Sequence, residues 1–146
     1  MDRLVELLGE VKRLAQEYYR LTGKPLGVTG EIAEFEAARL LGIQLCRARQ
    51  AGYDAIRVGP DGDVRLSIKS ACFPASLEAK WRIGTISLEK EWDATLMFLT
   101  PDFEPREIWE ADREAVMKLF ENAGRTDPGV KKFKSVATMV WPRNIT

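Results

Sequence analysis

A carboxylate at Asp54 and an ammonium at Lys69, with the Ser67 hydroxyl two residues before the lysine, are the groups in this chain best spaced for chemistry. Residues 53–58 and 64–70 read as two short strands. The turn Gly59-Pro60-Asp61-Gly62-Asp63 between them has the Gly and Asp content of a tight reversal. Side chains alternate across a strand, so Ser67 and Lys69 share one face while Leu66 and Ile68 take the other. Asp54 opens the first strand and can reach the polar face. Such a set can hold a divalent cation and an attacking water, and it can equally be a surface ion pair. The chain contains no histidine, which removes Ser-His-Asp and Cys-His hydrolases, His-ligated zinc and His general bases. Any catalysis must run on carboxylates, lysine and metal. Cys46 and Cys72 are too few and too far apart for a disulfide framework or a zinc knuckle, and read as buried free thiols.

The elements that must position these groups follow from periodicity. Leu4, Leu7, Leu8, Val11, Leu14, Ala15 and Tyr18 recur at helical spacing over residues 2–21, predicting an amphipathic helix that packs by its apolar face. A second helix is expected over residues 31–41, with Thr29 as N-cap, Gly42 as its end, and Ile32, Phe35, Ala38 and Leu41 inward. Glu31 and Glu34 lie three apart on its edge, where carboxylates also occur simply because the helix dipole favours them. Residues 43–47 read as a short strand leading to the hairpin. The stretch 70–93 has no clean period, and residues 83–88 within it read as a strand or a buried turn. Residues 93–100 are nearly all apolar, as in a strand buried on both faces, and residues 105–111 as the next strand. A helix is expected over 112–123. Phe133, Val136, Ala137, Val140 and Trp141 then recur at helical spacing as far as Pro142.

The 146 residues fit one domain, and 45% apolar with 30% charged residues is ordinary for a globular protein. Lys plus Arg and Asp plus Glu are 22 each, so any anionic partner must be met by a local patch rather than an overall field. Arg47, Arg49, Lys80, Arg82, Lys131, Lys132 and Lys134 are the candidates for such a patch, although a solvated helix end explains the three lysines equally simply. No apolar run reaches the ~18 residues of a membrane span, and charges every few residues break up the N-terminal segment. A cytoplasmic protein is the expectation.

The order of these elements predicts an α/β fold around a mixed sheet of four or five strands flanked by helices. With the runs GEIAEFEAARLLG, GYDAI, RLSIKS and WDATLMFLTPDFEPREIWEADREAV, the chain resembles the PD-(D/E)XK nuclease superfamily over residues 27–115, in one of its small bacterial branches. The resemblance implies a restriction-endonuclease-like core and a metal-dependent hydrolase of phosphodiester bonds in nucleic acid, DNA before RNA. Its pattern is an acid on a helix, an Asp on one core strand, and an acid, any residue and a Lys on the next. Here these are Glu34, Asp54, Ser67 and Lys69. It implies Mg²⁺ or Mn²⁺ held by Asp54 and the Ile68 carbonyl, with Lys69 positioning the attacking water. Ser67 departs from the pattern, and Glu34 or Glu31, or Asp63 from Ser67's own face, would supply the missing carboxylate in an active site. The alternative is a weak or inactive nuclease-fold module that binds nucleic acid or a protein partner. A homodimer is left open.

Overall fold

The computed structural model describes residues 2–24, 26–46, 52–101, 104–121 and 124–143. Two helices, α1 (Asp2–Thr22) and α2 (Thr29–Leu41), precede the strands β1 (Gln44–Leu45), β2 (Ala55–Arg57) and β3 (Val64–Ala71). A 3-10 helix (Ala75–Lys80), β4 (Ala94–Leu99), β5 (Glu107–Asp112), α3 (Arg113–Phe120), α4 (Val130–Val136) and β6 (Thr138–Trp141) follow. The strands form one mixed six-stranded sheet in the spatial order β1 to β6. Every neighbouring pair is antiparallel except β3 and β4, which run parallel with Ser67 opposite Thr95 and Lys69 opposite Met97.

Alternation along the central strands sorts the core into two layers. Leu66, Ile68, Ala94, Leu96 and Phe98 face α2, where Ala33 and Ala37 let the helix approach closely. The other face of the sheet carries Ala71, Met97, Leu99 and Ala111 under Val116 of α3 and Val130 and Phe133 of α4. All six residues of β4 are buried, as expected of a strand covered on both sides.

Several expectations are corrected. The sheet has six strands because the C-terminal segment divides. The helix stops at Val136, Ala137 turns extended (φ −113°, ψ 166°), and residues 138–141 pair with β5. The spacing of Val136 and Val140 suits a helix, but Thr, Val and Trp fit a pleated, half-buried edge better. Thr29 does not cap α2 but is its first residue, and its hydroxyl donates to the Leu26 carbonyl at 3.5 Å. Phe35 is only half-buried, whereas Ala33, Glu36 and Ala37 are buried. Glu36 survives there because Lys12 (3.3 Å) and Arg39 both donate to it. Asp112 ends β5 and caps α3, accepting from the Ala115 amide at 2.8 Å. Residues 83–88 form no strand. Ile83 and Ile86 are buried while their amides donate to the carbonyls of Pro128 (3.0 Å) and Thr126 (2.9 Å). Among the described residues no helix is long and apolar enough to cross a membrane.

Candidate functional site

The β2–β3 ladder sets the geometry. Ala55 pairs with Leu66, so Asp54 stands where the ladder ends, its own amide donating to the Leu66 carbonyl at 2.8 Å. Its Oδ2 accepts from the Ile68 amide at 2.7 Å, as the next rung of the sheet would. The carboxylate thereby lies in the gap where β2 parts from β3, with Oδ2 held by the Ile68 amide. A residue in a strand turns its N–H and C=O toward the same neighbour, so the Ile68 carbonyl also faces the Asp54 side.

Asp54, Ser67 and Lys69 line one cleft of about 150 Å³ together with Gly52, Tyr53, Thr85, Ser87, Lys90 and Trp92. The cleft gathers two ammonium groups and the hydroxyls of Tyr53, Ser67, Thr85 and Ser87 around one carboxylate. That inventory suits an anion with several oxygens, since lysines supply charge and hydroxyls donate without geometric restriction.

Glu34 approaches Asp54 from the α2 side of the sheet. Burial first, then the charges of Asp54 and Glu31, push its carboxyl from 4.5 up to about 7. Two carboxyl groups that repel in a partly desolvated corner are what a hard divalent cation relieves. A Mg²⁺ or Mn²⁺ ion held here would draw its carboxylate donors from Asp54 and Glu34 and a carbonyl from Ile68. Among the described residues no three His, Cys, Asp or Glu side chains cluster as a metal site, so water or the Ser67 hydroxyl would have to complete it. Glu31 is exposed and acts on Glu34 only through its charge. Asp93, beside the cleft, is already committed. Hydrogen bonds from the Arg65 side chain hold its carboxyl below the usual range, and the Arg65 amide adds another at 2.8 Å.

The wall of the cleft formed by residues 85–92 was not foreseeable as a site, because that stretch has no period. Arg113, the first residue of α3, organises it. Its guanidinium donates to the carbonyls of Leu88, of Lys90 (2.9 Å) and of Trp92 (2.9 Å), and lies 4.7 Å from the Trp92 ring centroid. Trp92 is buried and donates its indole N–H to the Ser87 carbonyl at 2.7 Å. Gly52 lets the start of the hairpin touch this wall. It has φ +95°, and an added Cβ would lie 2.7 Å from the Glu91 amide nitrogen and 2.8 Å from the Lys90 Cβ. Gly52→Ala is expected to cost about 1–3 kcal/mol in urea unfolding, from the positive φ and the forced separation together. An unchanged midpoint would mean that hairpin and wall are not in register here.

The proposed anion patch divides. Arg82, Lys131 and Lys132 line a second groove of about 390 Å³ with Arg125, Leu119 and Phe120. Lys134 is not available to it. Its ammonium bonds Glu78 (2.6 Å) and Glu107 (2.8 Å) and lies 5.2 Å from the Trp109 ring centroid. Burial lowers the Lys134 pKa, but these hydrogen bonds outweigh it and raise the group above its usual value. Lys80 is exposed at the end of the 3-10 helix and lines neither cavity. Arg47 and Arg49 lie outside the described residues. Trp81, between Lys80 and Arg82, stacks on Phe73 with centroids 5.5 Å apart and is part of the core rather than a platform for a base. Compared with known proteins, the chain matches no family model and no curated protein sequence.

Proposed function

We propose that this protein is a metal-dependent phosphodiesterase acting on nucleic acid, DNA before RNA, built on a restriction-endonuclease-like core. The observation that carries this reading is the single cleft in which Asp54, Ser67 and Lys69 meet Lys90, with Glu34 paired electrostatically to Asp54. A cation bound by Asp54, Glu34 and the Ile68 carbonyl supplies Lewis-acid stabilisation to the charge that develops on phosphoryl oxygens. The chain's own groups do the rest. Lys69 orients the attacking water and Lys90 offsets the phosphate charge. Ser67 is able to donate a hydrogen bond to a phosphate oxygen, which an ionised carboxylate at that position is not. The Ile68 amide holds the Asp54 carboxylate in place. Arg82, Lys131 and Lys132, which line the second groove, meet the backbone further along.

The test is Mn²⁺ titration by calorimetry together with nicking of supercoiled plasmid. The wild type should bind Mn²⁺ and nick, Asp54→Asn should lose both, and Lys69→Ala should lose nicking alone. Wild type and variants at one common background would end the catalytic reading. The second reading, an inactive module that binds nucleic acid, draws on Ser67 and on the small donor set. Under it, DNA binding persists without metal, falls steeply with salt and weakens in the double variant Lys131→Glu, Lys132→Glu.

A further inference from the structure

The helix α1 carries two stripes, and among the described residues the body of the protein covers only one. Ala15 packs with Ile32 and Cys72, flanked by Val11 and Tyr19. Beside it Lys12 pairs with Glu36 (3.3 Å) and Glu104 (3.1 Å), and Gln16 donates to Glu104 at 2.8 Å. The other large apolar residues lie about a quarter turn away, with Val11 between the two stripes. Leu4, Leu7, Leu14, Tyr18 and Leu21 are 46, 43, 51, 40 and 78% exposed, more than half of the large apolar side chains left at the surface among the described residues. The expectation that the apolar face packs in the core holds for Val11 and Ala15 and is corrected for Leu4, Leu7, Leu14 and Tyr18.

Leu4, Leu7, Val11, Leu14, Tyr18 and Leu21 are spaced three, four, three, four and three residues apart. That is the a/d repeat of a coiled-coil seam, narrower than the stripe a helix uses against a sheet. We propose that α1 is a dimerisation helix whose partner is α1 of a second copy of this chain. A seam of heptads is filled along its length by another helix with the same repeat, and a twofold pairing of α1 with itself supplies one of equal length. Charge allows this. Arg3, Glu6, Glu10, Arg13, Glu17 and Arg20 give the polar side three acids and three bases, and the whole chain is neutral, so two copies do not repel. The same balance argues against a membrane surface, which favours a predominantly basic polar face. At 1.5 Å per residue the 21-residue helix is about 32 Å long, a small interface that gives a reversible dimer rather than an obligate one.

Sedimentation velocity of the full chain at rising concentration should show the mass moving from 16.5 kDa toward twice that value. The double variant Leu7→Glu, Leu14→Glu should stay monomeric at every concentration, and Arg13→Glu, on the polar side, should behave as wild type. Leu21→Glu guards against misfolding, because that side chain makes little contact within the monomer, and it too should weaken association. A wild type that stays monomeric, or seam variants that associate as well as wild type, overturns the proposal. So does a wild-type monomer that co-sediments with anionic vesicles, which would make the stripe a membrane face.

Discussion

Glu34→Gln should stabilise the metal-free protein by about 1–2 kcal/mol at pH 8 and leave it unchanged near pH 4.5, as read by urea unfolding with chelator present. The sign follows from proton uptake. Glu34 is at about 7 in the folded chain against an ordinary 4.5, so between those values the native state binds more protons than the unfolded one, and stability falls as pH rises. The full shift would be worth about 3 kcal/mol, and partial solvent screening reduces it. Glutamine removes the penalty because it has no charge to desolvate. Added Mn²⁺ should reverse the ranking by stabilising the wild type alone. A stability difference that is constant across pH would mean that the Glu34 carboxyl is not raised in the folded chain.

Ser67→Glu separates the two ways in which the site can hold its second carboxylate. Ser67 is buried against the cleft, so the new side chain opens into that space rather than into packed core. In the wild-type background it adds a third carboxyl group beside Asp54 and Glu34. The expected result is a metal-free protein destabilised by about 2–4 kcal/mol, with no gain in nicking, because one carboxyl group stays protonated. In the Glu34→Gln background the same substitution restores a pair, and both Mn²⁺ binding and nicking should rise. This sign change across the cycle is the signature of shared ligation. Gains of equal size in both backgrounds would show that Glu34 contributes no ligand.

Much of the architecture is legible from the sequence because a few segments obey one period. Leu66 and Ile68 against Ser67 and Lys69 fix the register of β3, and the unbroken apolar run 94–99 announces a strand covered on both faces. The segment 72–93 is illegible because its shape comes from outside itself. Its amides reach carbonyls of residues 126–128, and Arg113 gathers its carbonyls. Such long-range partners leave no local pattern, so Thr85, Ser87, Lys90 and Trp92 escaped notice as cleft residues. Periodicity also reports that a face is apolar without saying what covers it, which is why the stripe on α1 reads as core. Lys134 shows the same limit from the polar side, since a cation looks identical in sequence whether two carboxylates await it or none.

The strand order has a kinetic consequence. Because each strand lies beside its neighbours in the chain, three of the five pairings can form by short, inexpensive loop closures. The exceptions are the join of β5 to β6, which waits for residues 113–137, and the parallel join of β3 to β4, which must wait for residues 72–93 to close over it. The cleft straddles the parallel join, with Asp54, Ser67 and Lys69 on the hairpin side and Thr85, Ser87, Lys90 and Trp92 on the crossover. A chain that has formed only its hairpin therefore holds Asp54, Ser67 and Lys69 without the second wall of the cleft, which is completed only at one of the two longest closures of the sheet.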